Sequence, residues 1–179
     1  GAPDLDAVTW LTVPNMYAKR FREQSFFVGR DMWLPINTQN TSLHRDLMVS
    51  YYYIKMGAGI DRFGDIFSGY FCQKCMHHMG DRIRVGTPIA MHKRNVHNYM
   101  NDFVKEFRGV LILEDLIEWL QRVQLSGTIY GETYSCLAGE LDAQISRFKG
   151  FVWTKEVKAY FRQVTNSMYE WIKVCKRIG

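Results

Sequence analysis

Residues 61–98, DRFGDIFSGYFCQKCMHHMGDRIRVGTPIAMHKRNVHN, divide the chain into two unlike parts. The stretch joins an acidic turn, an amphipathic helical segment, a short basic strand and a loop rich in His, Arg and Asn. Asp65 is placed to cap a helix over residues 66–79. Ile66, Phe67, Tyr70, Phe71, Cys75 and Met79 recur there at helical spacing, interrupted on that face by Lys74. Gly80 stops the helix, residues 82–85 alternate as a strand closed by Gly86 and Pro88, and residues 89–98 read as loop.

Upstream of this hinge the chain reads as short strands and turns. Residues 7–13, AVTWLTV, are β-branched and aromatic and end at Pro14, which predicts a buried strand. Residues 16–22 suit one helical turn. Residues 25–28 and 32–36 read as two further strands around Gly29-Arg30-Asp31. Residues 37–42, NTQNTS, are turn chemistry, residues 43–53 open with a short helix, and Gly57-Ala58-Gly59 breaks the chain.

Downstream the pattern is helical. Helices are expected over 98–107 and 111–123, joined at Gly109, and then over 130–148 and 154–178. The composition shifts near Arg108, which divides a mixed α/β part, residues 1–108, from a helical extension, residues 109–179, packed on it.

With 179 residues, 47% apolar and 15% aromatic, the chain has material for a core and is unlike a disordered one. No run of about 18 apolar residues appears and the N-terminus lacks a signal-peptide pattern, so a soluble chain is expected. The start at Gly1-Ala2-Pro3, without Met, fits a processed or excised product. A net charge of +5 and a pI near 9.0 favour anionic partners such as nucleotide phosphates, nucleic acid or acidic lipid. The cations are scattered, which argues against a nucleic-acid groove. Four cysteines in a chain of this size read as reduced thiols.

Four constellations carry candidate chemistry, each with a plainer reading beside it. Asp4-Leu5-Asp6 has the D-x-D spacing that can hold a divalent metal through two carboxylates, or simply opens a strand. Cys72-x-x-Cys75 with His77 and His78 matches half of a zinc site, although two thiols three apart on a helix also suit core packing. Asp61 and Asp65 flank Arg62-Phe63-Gly64, where a carboxylate could act as a base for an acceptor hydroxyl or could cap the helix and pair with Arg62. His92, Lys93, Arg94, Asn95 and His97 bring an imidazole, two cations and amide donors into one loop. That set suits a diphosphate with a metal, or a polar surface loop.

The succession Arg45-Asp46-Leu47, Tyr52, Arg62-Phe63-Gly64-Asp65, Gly69, Gly80, Thr87-Pro88, His92, Lys105-Glu106-Phe107-Arg108-Gly109 and Glu114-Asp115 resembles the C-terminal half of the reversibly glycosylated polypeptide, or UDP-arabinopyranose mutase, family. STELLO-type glycosyltransferase-like proteins are more distantly similar. The order persists from about Leu5 to the C-terminus, with a one-residue slip after His92.

The resemblance implies an α/β fold, the C-terminal part of a GT-A-like nucleotide-diphospho-sugar transferase with an α-helical extension. It also implies a UDP-sugar donor, a carbohydrate or protein acceptor, and Mn²⁺ or Mg²⁺. Asp65 matches an acidic position on the acceptor side, with Arg62 and Asp61 beside it as catalytic candidates. His92 matches a metal-side histidine, and Arg94 and Asn95, with Lys93, look like the phosphate side. The plant members carry a second acidic residue where this chain has Gly64. The half with the uridine pocket and the metal D-x-D is expected outside this chain, on a homo- or hetero-oligomeric partner or a removed segment. A cytoplasmic or Golgi-associated enzyme is one expectation. A non-catalytic interaction module and a basic nucleic-acid-associated domain are the alternatives.

Overall fold

The computed structural model describes residues 5–13, 16, 19–20, 24–36, 38–87, 89–90 and 96–178. Their order is α1 (Ala7–Thr12), β1 (Phe26–Phe27), a 3-10 helix (Arg45–Ser50), α2 (Gly64–Met79), β2 (Arg84–Val85), α3 (Tyr99–Arg122), α4 (Tyr130–Ile145) and α5 (Lys155–Ile178). The architecture is mostly helical. Its sheet is one antiparallel ribbon, pairing Phe26 with Val85 and Phe27 with Arg84.

The centre is α2, because little of it faces water. Phe67, Phe71, Cys72 and Cys75 are fully buried, and Ser68, Gly69 and Gln73 are buried with them. The helix is enclosed on more than the single face expected of it, packing against α3, α4 and the 3-10 helix. It ends as expected at Gly80. That residue has φ +83, its N–H reaches back to His77 and Met76 carbonyls, and the Asp81 N–H donates to the Met76 carbonyl at 2.9 Å. This left-handed cap satisfies the last carbonyls of the helix.

Around α2, the largest interface joins α4 to α5. On α5, Val157, Tyr160, Phe161, Val164, Met168 and Ile172 are buried at three- and four-residue spacing. On α4, Tyr134, Leu137, Ala138, Leu141 and Ile145 are fully buried, so the two stripes form one core. Thr154 starts α5, its hydroxyl accepting from the Val157 N–H at 3.3 Å.

Several expectations are corrected. Residues 7–13 do not form a strand. Asp6 caps a helix there by accepting from the N–H and the hydroxyl of Thr9, at 2.9 and 2.6 Å. Ala7 and Trp10, three apart, are its buried residues, and Trp10 stacks on Tyr99 at 5.7 Å. Residues 32–36 join no sheet, because the side chain of Gln73 takes their backbone groups. Its amide donates to the Met32 carbonyl at 2.9 Å and its oxygen accepts from the Leu34 N–H at 3.3 Å.

Asp65 is not the cap of α2. The helix starts two residues earlier than expected, at Gly64, with Phe63 at the cap position, and Asp65 lies in the first turn. The two helices expected on either side of Gly109 are one continuous α3. The strand at 25–28 and the short helix opening 43–53 stand, trimmed to β1 and the 3-10 helix. Most of residues 16–22, and Pro14 and Pro88, lie outside the described residues.

Candidate functional site

Arg62 introduces the site because its backbone is unusual. It has φ +62, the left-handed region that a long side chain occupies only when its surroundings hold it. Those surroundings come from α3. Arg62 Nε donates to Glu106 Oε1 at 2.9 Å, and its Nη1 lies 3.3 Å from Asp102 Oδ1. The other carboxylate oxygens are also engaged. Glu106 Oε2 accepts the Ala7 N–H at the start of α1, at 2.9 Å, and Asp102 Oδ2 lies 2.9 Å from His97 Nδ1.

Asp102 and Glu106 are 8% and 7% exposed. Two nearly buried carboxylates would cost several kcal/mol if left without partners. Here they face an arginine, an imidazole and a backbone N–H. Asp102 also sits in the first turn of α3, where the helix dipole favours negative charge.

The two stretches RFG and EFRG therefore mate. Arg62 meets Glu106. Phe63 lies on Gly109, where a Cβ would come within 2.4 Å of the ring. Arg108 donates to the Ala58 carbonyl of the preceding turn. Gly109 is thus a seat for an aromatic ring inside a helix and not a break between two helices, which is why the sequence misleads there.

Asp61 and Asp65 flank Arg62 in the chain. Asp65 Oδ1 accepts the N–H of Ile66 at 3.0 Å, and its charge helps hold the buried Tyr51 phenol protonated. Asp61, half-buried, acts in the same sense on Tyr160, whose hydroxyl donates to the Lys55 carbonyl at 2.9 Å. Gly64, between Arg62 and Asp65, is buried, and a Cβ there would lie 2.1 Å from the Ile54 carbonyl oxygen. Position 64 therefore has no room for the second acidic side chain that the resemblance led one to expect there.

Of the residues expected in the site, Asp61, Arg62 and Asp65 are described and lie at the start of α2 as neighbours in the chain. His92, Lys93, Arg94 and Asn95 lie outside the described residues. His97 is placed against Asp102 at the start of α3. Sequence reading missed Asp102 and Glu106. The available signal was two acids one turn apart on the helical face that also carries Gly109.

The other motifs resolve into structure. Asp6 is spent on capping α1, and Asp4 lies outside the described residues. Cys72 and Cys75 are fully buried, and burial pushes the Cys72 thiol up to about 12 and the Cys75 thiol well above its usual range, the reverse of what a thiolate ligand requires. His77 meets the ring of Trp33 edge-on at 4.8 Å, and His78 Nε2 lies 3.0 Å from the Gly127 carbonyl. Among the described residues no three His, Cys, Asp or Glu side chains converge in a metal-holding group. None of the described helices is long and apolar enough to cross a membrane.

The family model described as "Reversibly glycosylated polypeptide" matches residues 1–179. A search of curated proteins gives no significant match.

Proposed function

The chain belongs to the reversibly glycosylated polypeptide family, and we propose that it works in a GT-A-like glycosyltransferase or sugar mutase whose donor is a nucleotide-diphospho-sugar, a UDP-sugar in first place. The observation that carries this reading is the match along the whole chain. The site supports it by placing Asp61, Arg62 and Asp65 at the mouth of the central helix.

In this reading an acceptor hydroxyl attacks the anomeric carbon, and Asp65 takes the hydroxyl proton. The bond from that carbon to the diphosphate oxygen breaks as the new C–O bond forms. The departing diphosphate carries the negative charge toward Lys93, Arg94 and Asn95. Asp61 assists by orienting the acceptor. Arg62 has a supporting part, since Glu106 and Asp102 already engage its guanidinium: it fixes the turn that presents both aspartates. The family likeness also brings Mn²⁺ or Mg²⁺, with His92 as ligand. The described side chains do not fit a metal site by themselves.

Asp65→Asn should leave UDP binding within about twofold while lowering transfer at least ~100-fold, the usual size of a lost general base. Calorimetry with UDP, with and without Mn²⁺, on the intact protein together with the half expected to carry the uridine pocket, and on its His92→Ala variant, tests the donor side. Binding that needs Mn²⁺ and weakens in His92→Ala is expected. Metal-independent binding unchanged by the substitution would remove the metal assignment, and no UDP binding at all would remove the donor.

A further inference from the structure

The two halves of α3 use their faces in opposite ways. In the second half the ordinary pattern holds: Ile112, Leu116 and Leu120 are buried, and Glu114 and Glu118 face water. In the first half the buried positions are Asp102, Glu106 and Gly109, which receive Arg62, the Ala7 N–H and the Phe63 ring. The apolar side chains of the same turns point outward. Met100 is 59% exposed, Val104 69% and Phe107 47%. Carboxylates inside and apolar groups outside reverse the pattern of a helix that has a single partner.

At 3.6 residues per turn, Met100, Phe103, Val104, Phe107, Val110 and Leu111 fall within an arc of about 120°, as wide as the stripe an amphipathic helix ordinarily turns to a core. Phe103 and Phe107 lie together, with ring centroids 5.5 Å apart. The six leave on the order of 450 Å² of side chain in water, the scale of a functional patch. A standard interface between like subunits takes about 800 Å² from each copy, about 65% of it apolar. The arc therefore supplies close to the whole apolar share. Between Met100 and Leu111 no charged side chain falls inside it, so a nucleic acid or an acidic peptide would find nothing there to hold.

We propose that this face is where two copies of the chain pair, α3 against α3 and antiparallel about the midpoint between Val104 and Phe107. The central positions, Met100, Val104, Phe107 and Leu111, are spaced four, three and four apart. That spacing reads the same from either end, as a two-fold contact requires. Each Val104 then meets Phe107 of the other copy, and each Met100 meets Leu111. Charge sets the direction. Glu114 and Glu118 continue the same side of the helix, and a parallel pair would place each against its own counterpart. In the antiparallel pair the two Glu114 positions stand about 25 Å apart along the axis, well beyond the ~8 Å screening length. The pairing does not rest on the reaction proposed above.

Sedimentation velocity on the intact protein, from about 1 to 200 µM, should show a monomer–dimer equilibrium, since a contact of this size holds in the micromolar range. Val104→Lys and Phe107→Glu are made at exposed positions and should leave the urea midpoint unchanged. Each alone should weaken the dimer at least ~10-fold, by placing an unpaired charge in the contact. Mixed one to one, the two variants should pair again. The introduced ammonium of one then meets the introduced carboxylate of the other, while the natural Val104 and Phe107 meet at the second contact.

A monomer at every concentration overturns the pairing and leaves the face to an occupant other than a second copy. A dimer that neither substitution weakens joins the copies elsewhere and overturns it equally. Loss of the dimer in both variants without recovery on mixing overturns the antiparallel register. Should Phe107→Glu unfold the chain, Val104→Lys alone decides, because an undiminished dimer there overturns the pairing.

Discussion

The carbonyl of Ile54 sets what position 64 can be. An ideal Cβ at Gly64 lies 2.1 Å from that oxygen and 3.3 Å from its carbon, and both are backbone atoms that no rotamer change can move aside. Gly64→Asp is therefore expected to destabilise the fold by about 3 kcal/mol, at the upper end for forced overpacking, without creating a paired-carboxylate site. A clear drop in the urea midpoint is the expected reading; an unchanged midpoint would show that the chain 53–54 yields. At this scale the sequence marks Asp61, Arg62 and Asp65 but hides their support. Arg62 and Glu106 are 44 positions apart, and only the left-handed turn and the unbroken register of α3 bring them together. Spacing suggests the nearer partner, Asp65, and gives no hint of Glu106 and Asp102, which Arg62 meets.

Among the elements, α4 and α5 are legible from buried residues that recur at helical spacing, whereas α2, buried on several sides, is legible from local signals at its C-terminal end. Gly80 is the plainest of these signals. Nothing lies within 4 Å of a Cβ built there, so Gly80→Ala isolates the backbone term of the left-handed cap. A loss of about 1 kcal/mol is expected, read by urea denaturation, with Gly80→Asn falling between the two. Equal stability of Gly80→Ala and the natural chain would mean that the cap rearranges.

The misread elements have a common physical cause. The β-branched content of residues 7–13 favours a strand locally. Asp6 caps a helix locally, and the Ala7 N–H to Glu106 and Trp10 on Tyr99, both contacts with α3, outweigh the strand preference. Residues 32–36 look like a strand and have extended backbone demands, which Gln73 meets from α2 in place of a neighbouring strand. Gly109 looks like a break and is a packing seat for Phe63. In each case a partner remote in sequence decides.

For the molecule as a whole, the core carries an unusual load of weak acids held in neutral form. Burial raises the Cys72 thiol from 9.0 to about 12 and the Tyr51 phenol from 10.0 to about 12. Burial also raises Cys75 and Tyr70 on α2, Tyr130 and Tyr134 on α4, and Tyr160 on α5. For Tyr130 the hydrogen bond it donates to Asp81 adds to the effect. The sign follows from proton counting. As pH rises through 9 and then 10, these groups lose protons in the unfolded chain and keep them in the folded one, so the unfolded state binds fewer protons and stability falls. Below 9 none of them contributes a slope. Cys72 alone removes about 1.4 kcal/mol for each pH unit between its unfolded and folded values, and the phenols join above 10. The urea midpoint should therefore be steady from pH 7 to 8.5 and then decline ever more steeply to pH 11. Cys72→Ala separates this from general alkaline damage. Its cavity lowers the midpoint at every pH, but the decline between pH 9 and 10 should become shallower, because one of the two fully buried thiols that start it is gone. A midpoint that stays level to pH 11, or a Cys72→Ala slope equal to that of the natural chain, would show that these groups ionise without unfolding the core.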